Sequence, residues 1–153
     1  MAFQPVAGSG LGEDGDRPMT DSRFTPLHLA TQTGEYDLEA CAVRIGVDVL
    51  VYIWGGDWPH IGSVAAAQPR PSRKDSAGTS ATASVLTYAG HKDDITAKFA
   101  AEALASALAV NVVVTVGIHW NALDEAHIPA VMVNTQNLVR ELIQALKSGE
   151  EGG

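Results

Sequence analysis

The sequence predicts an α+β domain: a mainly antiparallel sheet of about five strands, in the order β-β-β-β-α-β-α, with two helices packed on one face. Three observations lead there. Leu38 to Ile45 and Thr79 to Tyr88 alternate with period two, as half-buried strands do. Val49 to Trp54 and Asn111 to Val116 are apolar, largely β-branched runs too short for helices. Two helical stripes follow, one after Gly90 and one from Asn134.

Residues 1–34 hold five of the 15 glycines, with Pro5, Pro18, Pro26 and the acidic group Glu13, Asp14 and Asp16, and show almost no hydrophobic period. They are expected to form a disordered tail, although Phe24, Leu27 and Leu29 could add back onto the domain. The folded domain is placed at residues 35–148, with 149–153 a second disordered end. In the first strand Cys41, Val43 and Ile45 share one face, while Leu38, Ala40, Ala42 and Arg44 share the other. Gly46, Val47 and Asp48 supply turn chemistry, so Val49 to Trp54 pairs back as a hairpin. Gly55 to Pro59 breaks that strand, and Tyr52 and Trp54 are assigned to core packing. Ile61 to Ala67 is extended, and Gln68 to Gly78, with Pro69 and Pro71, reads as a long loop. In the next strand Ser80, Thr82 and Ser84 line one face while Ala81, Ala83 and Val85 line the other. Asp93 or Asp94 caps a helix with Ile95, Phe99, Ala103, Leu104 and Leu108 on one stripe, and Asn111 ends it. Asn134 caps the last helix, whose apolar face is Leu138, Leu142, Ala145 and Leu146; the conformation of Ile128 to Val133 stays open.

A chain of 153 residues, 46% hydrophobic and 18% charged, suits one domain with a sizeable core. Its net charge of -8 argues against a coat for nucleic acid or an anionic membrane. The one cysteine, Cys41, cannot close an internal disulfide or build a multi-cysteine zinc site. Met1 to Gly15 lacks a basic start and an apolar run of signal-peptide length, and no stretch approaches the ~20 apolar residues of a membrane span. A soluble, cytoplasmic protein is expected.

Candidate chemistry gathers in a few places. At Gly90-His91-Lys92-Asp93-Asp94 a helix start and Lys92 could hold a phosphate or carboxylate; the plain alternative is that the two aspartates only cap the helix. Between Val49 and Lys92 the cations Arg70, Arg73, Lys74 and Lys92 outnumber Asp57 and Asp75, so an anionic ligand would be drawn to this part of an acidic chain. Prolines on either side stiffen the surroundings of Arg70. His60, His91 and His119 stand in loops or at strand ends, with Asp57, Asp93 and Asp94 close in sequence to two of them, and a metal site could be assembled from these; nothing has the tight spacing of a metal-binding helix or finger, however, and no metal is expected. Ser63, Ser80 or Ser84 could pair with a histidine, yet the Gly-x-Ser-x-Gly pattern is absent, Asp93 and Asp94 would point apart, and no catalytic residue is assigned. Trp58 beside Pro59 and Trp120 beside His119 are harder to explain as core and could stack on a flat ligand.

Five blocks taken in order carry a resemblance: Gly55-Gly56-Asp57-Trp58-Pro59-His60-Ile61-Gly62, Pro69-Arg70-Pro71-Ser72, Thr79-Ser80-Ala81-Thr82-Ala83-Ser84-Val85, Gly90-His91-Lys92-Asp93-Asp94 and Gly117-Ile118-His119-Trp120-Asn121. Together, over roughly residues 39–146, the chain resembles the LpdD-like prenylated-flavin chaperone family. The resemblance implies a fold related to proteasome-assembly chaperones and a homo-oligomer. It also implies a non-enzymatic carrier that binds reduced prenylated FMN, and possibly FMN itself. The prenylated cofactor would come from a UbiX-type flavin prenyltransferase and be loaded into a UbiD-type decarboxylase acting on hydroxylated aromatic acids. On that reading Lys92 and Arg70 are candidates for the phosphate, with hydroxyls from Thr79, Ser80, Thr82, Ser84 and Ser72 of the second block. Trp58 and Trp120 would face the ring, and His60, His91 and His119 its polar edge or the ribityl chain. Two further readings remain: a flavin-independent assembly subunit of the decarboxylase, and a small histidine- or metal-dependent hydrolase.

Overall fold

The computed structural model describes residues 25–75 and 77–149. Along them run β1 (Leu27–Ala30), β2 (Leu38–Ile45), β3 (Asp48–Gly56), β4 (Ser63–Pro71), β5 (Thr79–Thr87), α1 (Asp94–Leu108), β6 (Val112–His119), a 3-10 turn (Glu125–His127) and α2 (Ile128–Ser148). The strands form one 6-stranded sheet in the order β1-β2-β3-β6-β4-β5. Neighbours are antiparallel except β3 and β6. That parallel pair arises because the chain makes the β4–β5 hairpin and crosses through α1 before inserting β6 beside β3, and parallel neighbours need such a crossover. The α+β class, the element order from β2 onward and the placing of both helices on one face agree with the sequence reading.

The sixth strand is the first correction. β1 pairs antiparallel with β2, Leu27 opposite Ala42 and Ala30 opposite Glu39, and Leu27 and Leu29 pack against the core. The sheet therefore begins inside the segment assigned to a tail; two leucines in a four-residue edge strand are too few to display a period. The remainder of that expected tail, residues 1–24, and the end at 150–153 lie outside the described residues.

The second correction concerns Gln68 to Gly78. β4 continues through both prolines to Pro71, still paired with β5. Its ladder with β6 stops at Ala67, so beyond that point β4 has a neighbour on one side only, where a missing N–H can be tolerated. The loop shrinks to Ser72–Gly78, closed by Ser72 N–H on the Gly78 carbonyl at 2.8 Å.

One face of the sheet carries Leu38, Ala40, Ala42, Val49, Val51, Ile53, Ala65, Ala67, Ala81, Val112, Val114 and Val116, all buried beneath the helices. α1 covers β4, β5 and β6, while α2 covers β1 and β2. The buried face of α1 is Thr96, Ala97, Ala100, Ala101, Leu104 and Ala105, whereas Ile95 is 69% exposed. The stripe built on Ile95 and Phe99 is thus rotated by about one residue, or about 100°. The sheet opposite α1 is lined by alanines, and small residues on both sides let helix and sheet approach closely.

Asn134 does not cap α2, which starts at Ile128 with a proline in its first turn, where the missing N–H costs nothing. Its buried amide instead donates to the carbonyls of Glu35 (2.9 Å) and Tyr36 (2.8 Å), tying the β1–β2 connection to α2. That connection has a second anchor in Asp37. Its carboxylate accepts from Thr31 Oγ1 at 2.7 Å, Thr33 N at 2.8 Å, Thr33 Oγ1 at 2.9 Å and Gly34 N at 2.9 Å. These donors, the Thr31 hydroxyl foremost, lower its pKa from 3.8 to about 2. Because folding depresses this pKa, the stabilisation is whole above the unfolded value of 3.8 and is lost as pH falls through about 2. Urea midpoints of the wild type and Asp37→Asn should therefore differ at neutral pH and converge near pH 2; a constant difference would show that the bonds do not depend on the charge.

Candidate functional site

The end of β6, the loop Asp57–Gly62 after β3 and the turn Gly90–Asp93 before α1 meet at one corner of the domain. Two glycines let them touch. A Cβ on Gly117 would run into the carbonyl of His60, and a Cβ on Gly62 would run into the Asp93 carboxylate and lie 3.0 Å from His60 Nε2. Both are buried, and the loop is bonded down by Gly62 N–H to the Val116 carbonyl (2.9 Å) and Asp57 N–H to the His119 carbonyl (2.7 Å). Their role is close approach of backbone and side chain, so the glycine-rich block after β3 is more than a turn signal.

The corner brings three predicted site residues together with Asp93. His60 Nδ1 lies 2.9 Å from the Trp58 carbonyl, which can only accept, so this nitrogen carries the proton. Nε2 is left as an acceptor, buried and without a hydrogen-bond partner among the described residues. It faces Asp93 Oδ2 at 3.5 Å. The His91 ring lies over that of His60 at 4.4 Å between centroids, and His119 stands edge-on at 6.4 Å. Asp93 sits at the cap position of α1, but its side chain makes no cap bond and turns instead to Ile118 N–H at 3.3 Å. The plain capping reading of Asp93 therefore fails. Burial pushes its carboxyl above the ordinary range, partly offset by the Ile118 amide and by His60 and His91. The amides at the start of α1 consequently keep no side-chain cap, a polarity that favours an anion nearby.

Beside this cluster lies a hollow of about 500 Å³. Lys92, the carboxyl of Asp93 and the imidazoles of His91 and His119 give it a polar side, and Ile95, Ile118, Leu123, Ile128 and Met132 give it an apolar wall. It is thus apolar over most of its lining with convergent polar groups at one end, the usual form of a small-molecule site.

The other predicted residues fall elsewhere. Arg70 donates through Nε to Thr82 Oγ1 at 2.8 Å and lines a separate hollow of about 430 Å³ with Gln68, Thr82 and Ser84 on the sheet face away from the helices. Ser80 pairs with Arg70 on the same face, while Thr79 sits at the end of β5 with its carbonyl accepting from Ser106. Arg70 is seven residues along β4 from Ser63, about 23 Å, so it and Lys92 cannot hold one phosphate. The Ser72 hydroxyl is committed to its loop, accepting from Lys74 N (3.2 Å) and Asp75 N (3.3 Å). Trp120 is half-buried and packs edge-on against Tyr36, whereas Trp58 is 64% exposed and donates to Asn121 Oδ1 at 3.1 Å. Sequence reasoning missed the open face of the sheet: Tyr52 and Trp54, assigned to the core, stack on each other there at 5.5 Å. With Leu50, Pro59, His60 and Ile61 they edge a hollow of about 500 Å³. The signal was available, since Tyr52 and Trp54 alternate with the buried Val51 and Ile53.

Among the described residues no helix is long and apolar enough to cross a membrane. Residues 32–147 match the family model of the prenylated flavin chaperone LpdD-like domain. Protein LpdD of Lactiplantibacillus plantarum is 29% identical over 122 residues, which is 78% of this chain and 85% of that protein. A crystal structure of a novel chaperone complex for yeast 20S proteasome assembly shares the fold with a TM-score of 0.53 at 13% identity, covering 82% of this chain and 97% of that one. The chain belongs to the LpdD-like chaperone family.

Proposed function

We propose that this chaperone holds reduced prenylated FMN in the hollow at the start of α1 and hands it to a UbiD-type decarboxylase in the cytoplasm, receiving it from a UbiX-type flavin prenyltransferase. One observation carries the reading: His91, Lys92 and His119 converge with the uncapped start of α1 at one end of a hollow whose other wall is apolar. A prenylated flavin has the matching polarity, with a phosphate at one end and an enlarged apolar ring system at the other. Lys92 and the α1 amides would take the phosphate. Ile118, Leu123, Ile128 and Met132 would cover the ring, and His91 and His119 would bond its polar edge or the ribityl hydroxyls. The protein's part is to bind, orient and shield; no bond is made or broken. The name of the matched family supports this ligand class.

The test is anaerobic co-expression with a flavin prenyltransferase, then purification, an absorbance spectrum and intact-ligand mass analysis. The expected result is one species at the mass of prenylated FMN per chain, in preference to unmodified FMN. A colourless protein, under conditions that load a known acceptor, would overturn the reading. It would favour the flavin-independent assembly subunit, for which the open sheet face with exposed Tyr52, Val113 and Leu86 is the supporting observation. The same face would serve self-association in the homo-oligomer that belongs to this proposal.

A further inference from the structure

We infer that His60, His91 and Asp93 form a binding site for a divalent transition-metal ion of the zinc class. Each residue offers one ligand atom, and the three atoms lie within 4.8 Å of one another. Around tetrahedral zinc, ligands at about 2.0–2.2 Å lie about 3.4 Å apart, so the cluster would have to close by little more than 1 Å. His60 Nε2 and Asp93 Oδ2 already stand at 3.5 Å.

Three features separate this cluster from a chance meeting of polar groups. The Trp58 carbonyl fixes the proton on His60 Nδ1 and turns Nε2 inward, the outer-shell arrangement that orients metal-binding histidines. Nε2 is buried with no donor among the described residues, and its neighbour is the carboxylate of Asp93. Two acceptors facing one another at this distance are satisfied by a cation between them. Gly62 keeps the space clear, since any larger residue would push its Cβ into Asp93. His91 and Asp93 also line the hollow in which His119 stands, so a fourth ligand would reach the ion from that side. Two histidines and one carboxylate with an open position is a ligand set that zinc and non-haem iron both accept. The sequence marks His60, His91 and Asp93 as candidates but cannot choose them as a set, because they come from two loops, with His60 and His91 31 residues apart, joined only by the fold. The site does not depend on the flavin reading.

The full chain, stripped with a chelator and dialysed, should be titrated with zinc chloride by calorimetry and with cobalt(II) by visible absorption. One zinc per chain is expected, together with the intense visible bands of four-coordinate cobalt. His91→Ala, at an exposed position, and Asp93→Asn, which keeps the side-chain shape, should each weaken zinc binding at least ~100-fold, more than loss of an outer-shell partner does. His127→Ala, outside the cluster, should bind as the wild type. Absence of stoichiometric binding would overturn the inference. Unchanged binding in both His91→Ala and Asp93→Asn would overturn it as well, placing the ion elsewhere.

Discussion

Replacing Gly117 with alanine is expected to destabilise the protein by about 3 kcal/mol, the upper end of what overpacking costs. The added Cβ would run into the carbonyl of His60 and lie 3.2 Å from its Cα. A clash with a flexible side chain can be relieved by a rotamer change, but this neighbour is backbone. Either β6 or the His60 loop must move. The loop is held by the bonds from Gly62 to Val116 and from Asp57 to His119, so moving it breaks partners of buried groups. Gly34→Ala gives the scale: it forces a residue into φ +85° but meets nothing within 4 Å, and should cost only about 1 kcal/mol. Urea unfolding of the two variants measures the difference. If Gly117→Ala were as stable as Gly34→Ala, the packing of the His60 loop on β6 described above would be wrong. A folded Gly117→Ala protein should also bind zinc more weakly, because the same shift moves His60 away from His91 and Asp93.

The contrast between those glycines shows what the sequence could and could not disclose. Alternation in Leu38 to Ile45 and Thr79 to Thr87 exposed both faces of β2 and β5 correctly, since period two depends only on the residues concerned. The prolines of β4 misled, because a proline is compatible with a strand only where one edge is unpaired, and pairing is a property of the sheet. α1 misled differently: its large residues suggested one face, while the alanine-lined strands beneath select another. At the site, His91 and Lys92 could be picked out from their place before a helix. The role of Asp93 could not, because its partners, Ile118 and His60, arrive from β6 and from the loop after β3. Nor could sequence separate Arg70 from Lys92 as phosphate candidates, for their distance exists only once β4 is extended.

That separation sets the second large effect. Lys92→Ala should weaken binding of prenylated FMN about 10- to 100-fold, the range for one charge-assisted hydrogen bond, while Arg70→Ala should leave it within about twofold. Lys92 is exposed, lines the hollow and makes no bond to any of the described residues, so its loss should not alter stability. Arg70 is already engaged with Thr82 and with the Pro71 carbonyl at 3.2 Å, on the opposite face of the sheet from α1. Ligand per chain after anaerobic co-expression, followed by dissociation constants for the purified reduced cofactor, measures both variants. Raised salt should weaken the wild type more than Lys92→Ala, since the exposed charge pair is what salt screens. The reverse outcome, with Arg70 essential and Lys92 dispensable, would move the ligand to the hollow lined by Gln68, Thr82 and Ser84 on the open sheet face. In that case the phosphate would be bound by a strand arginine and neighbouring hydroxyls, and the helix start would have no part in holding it.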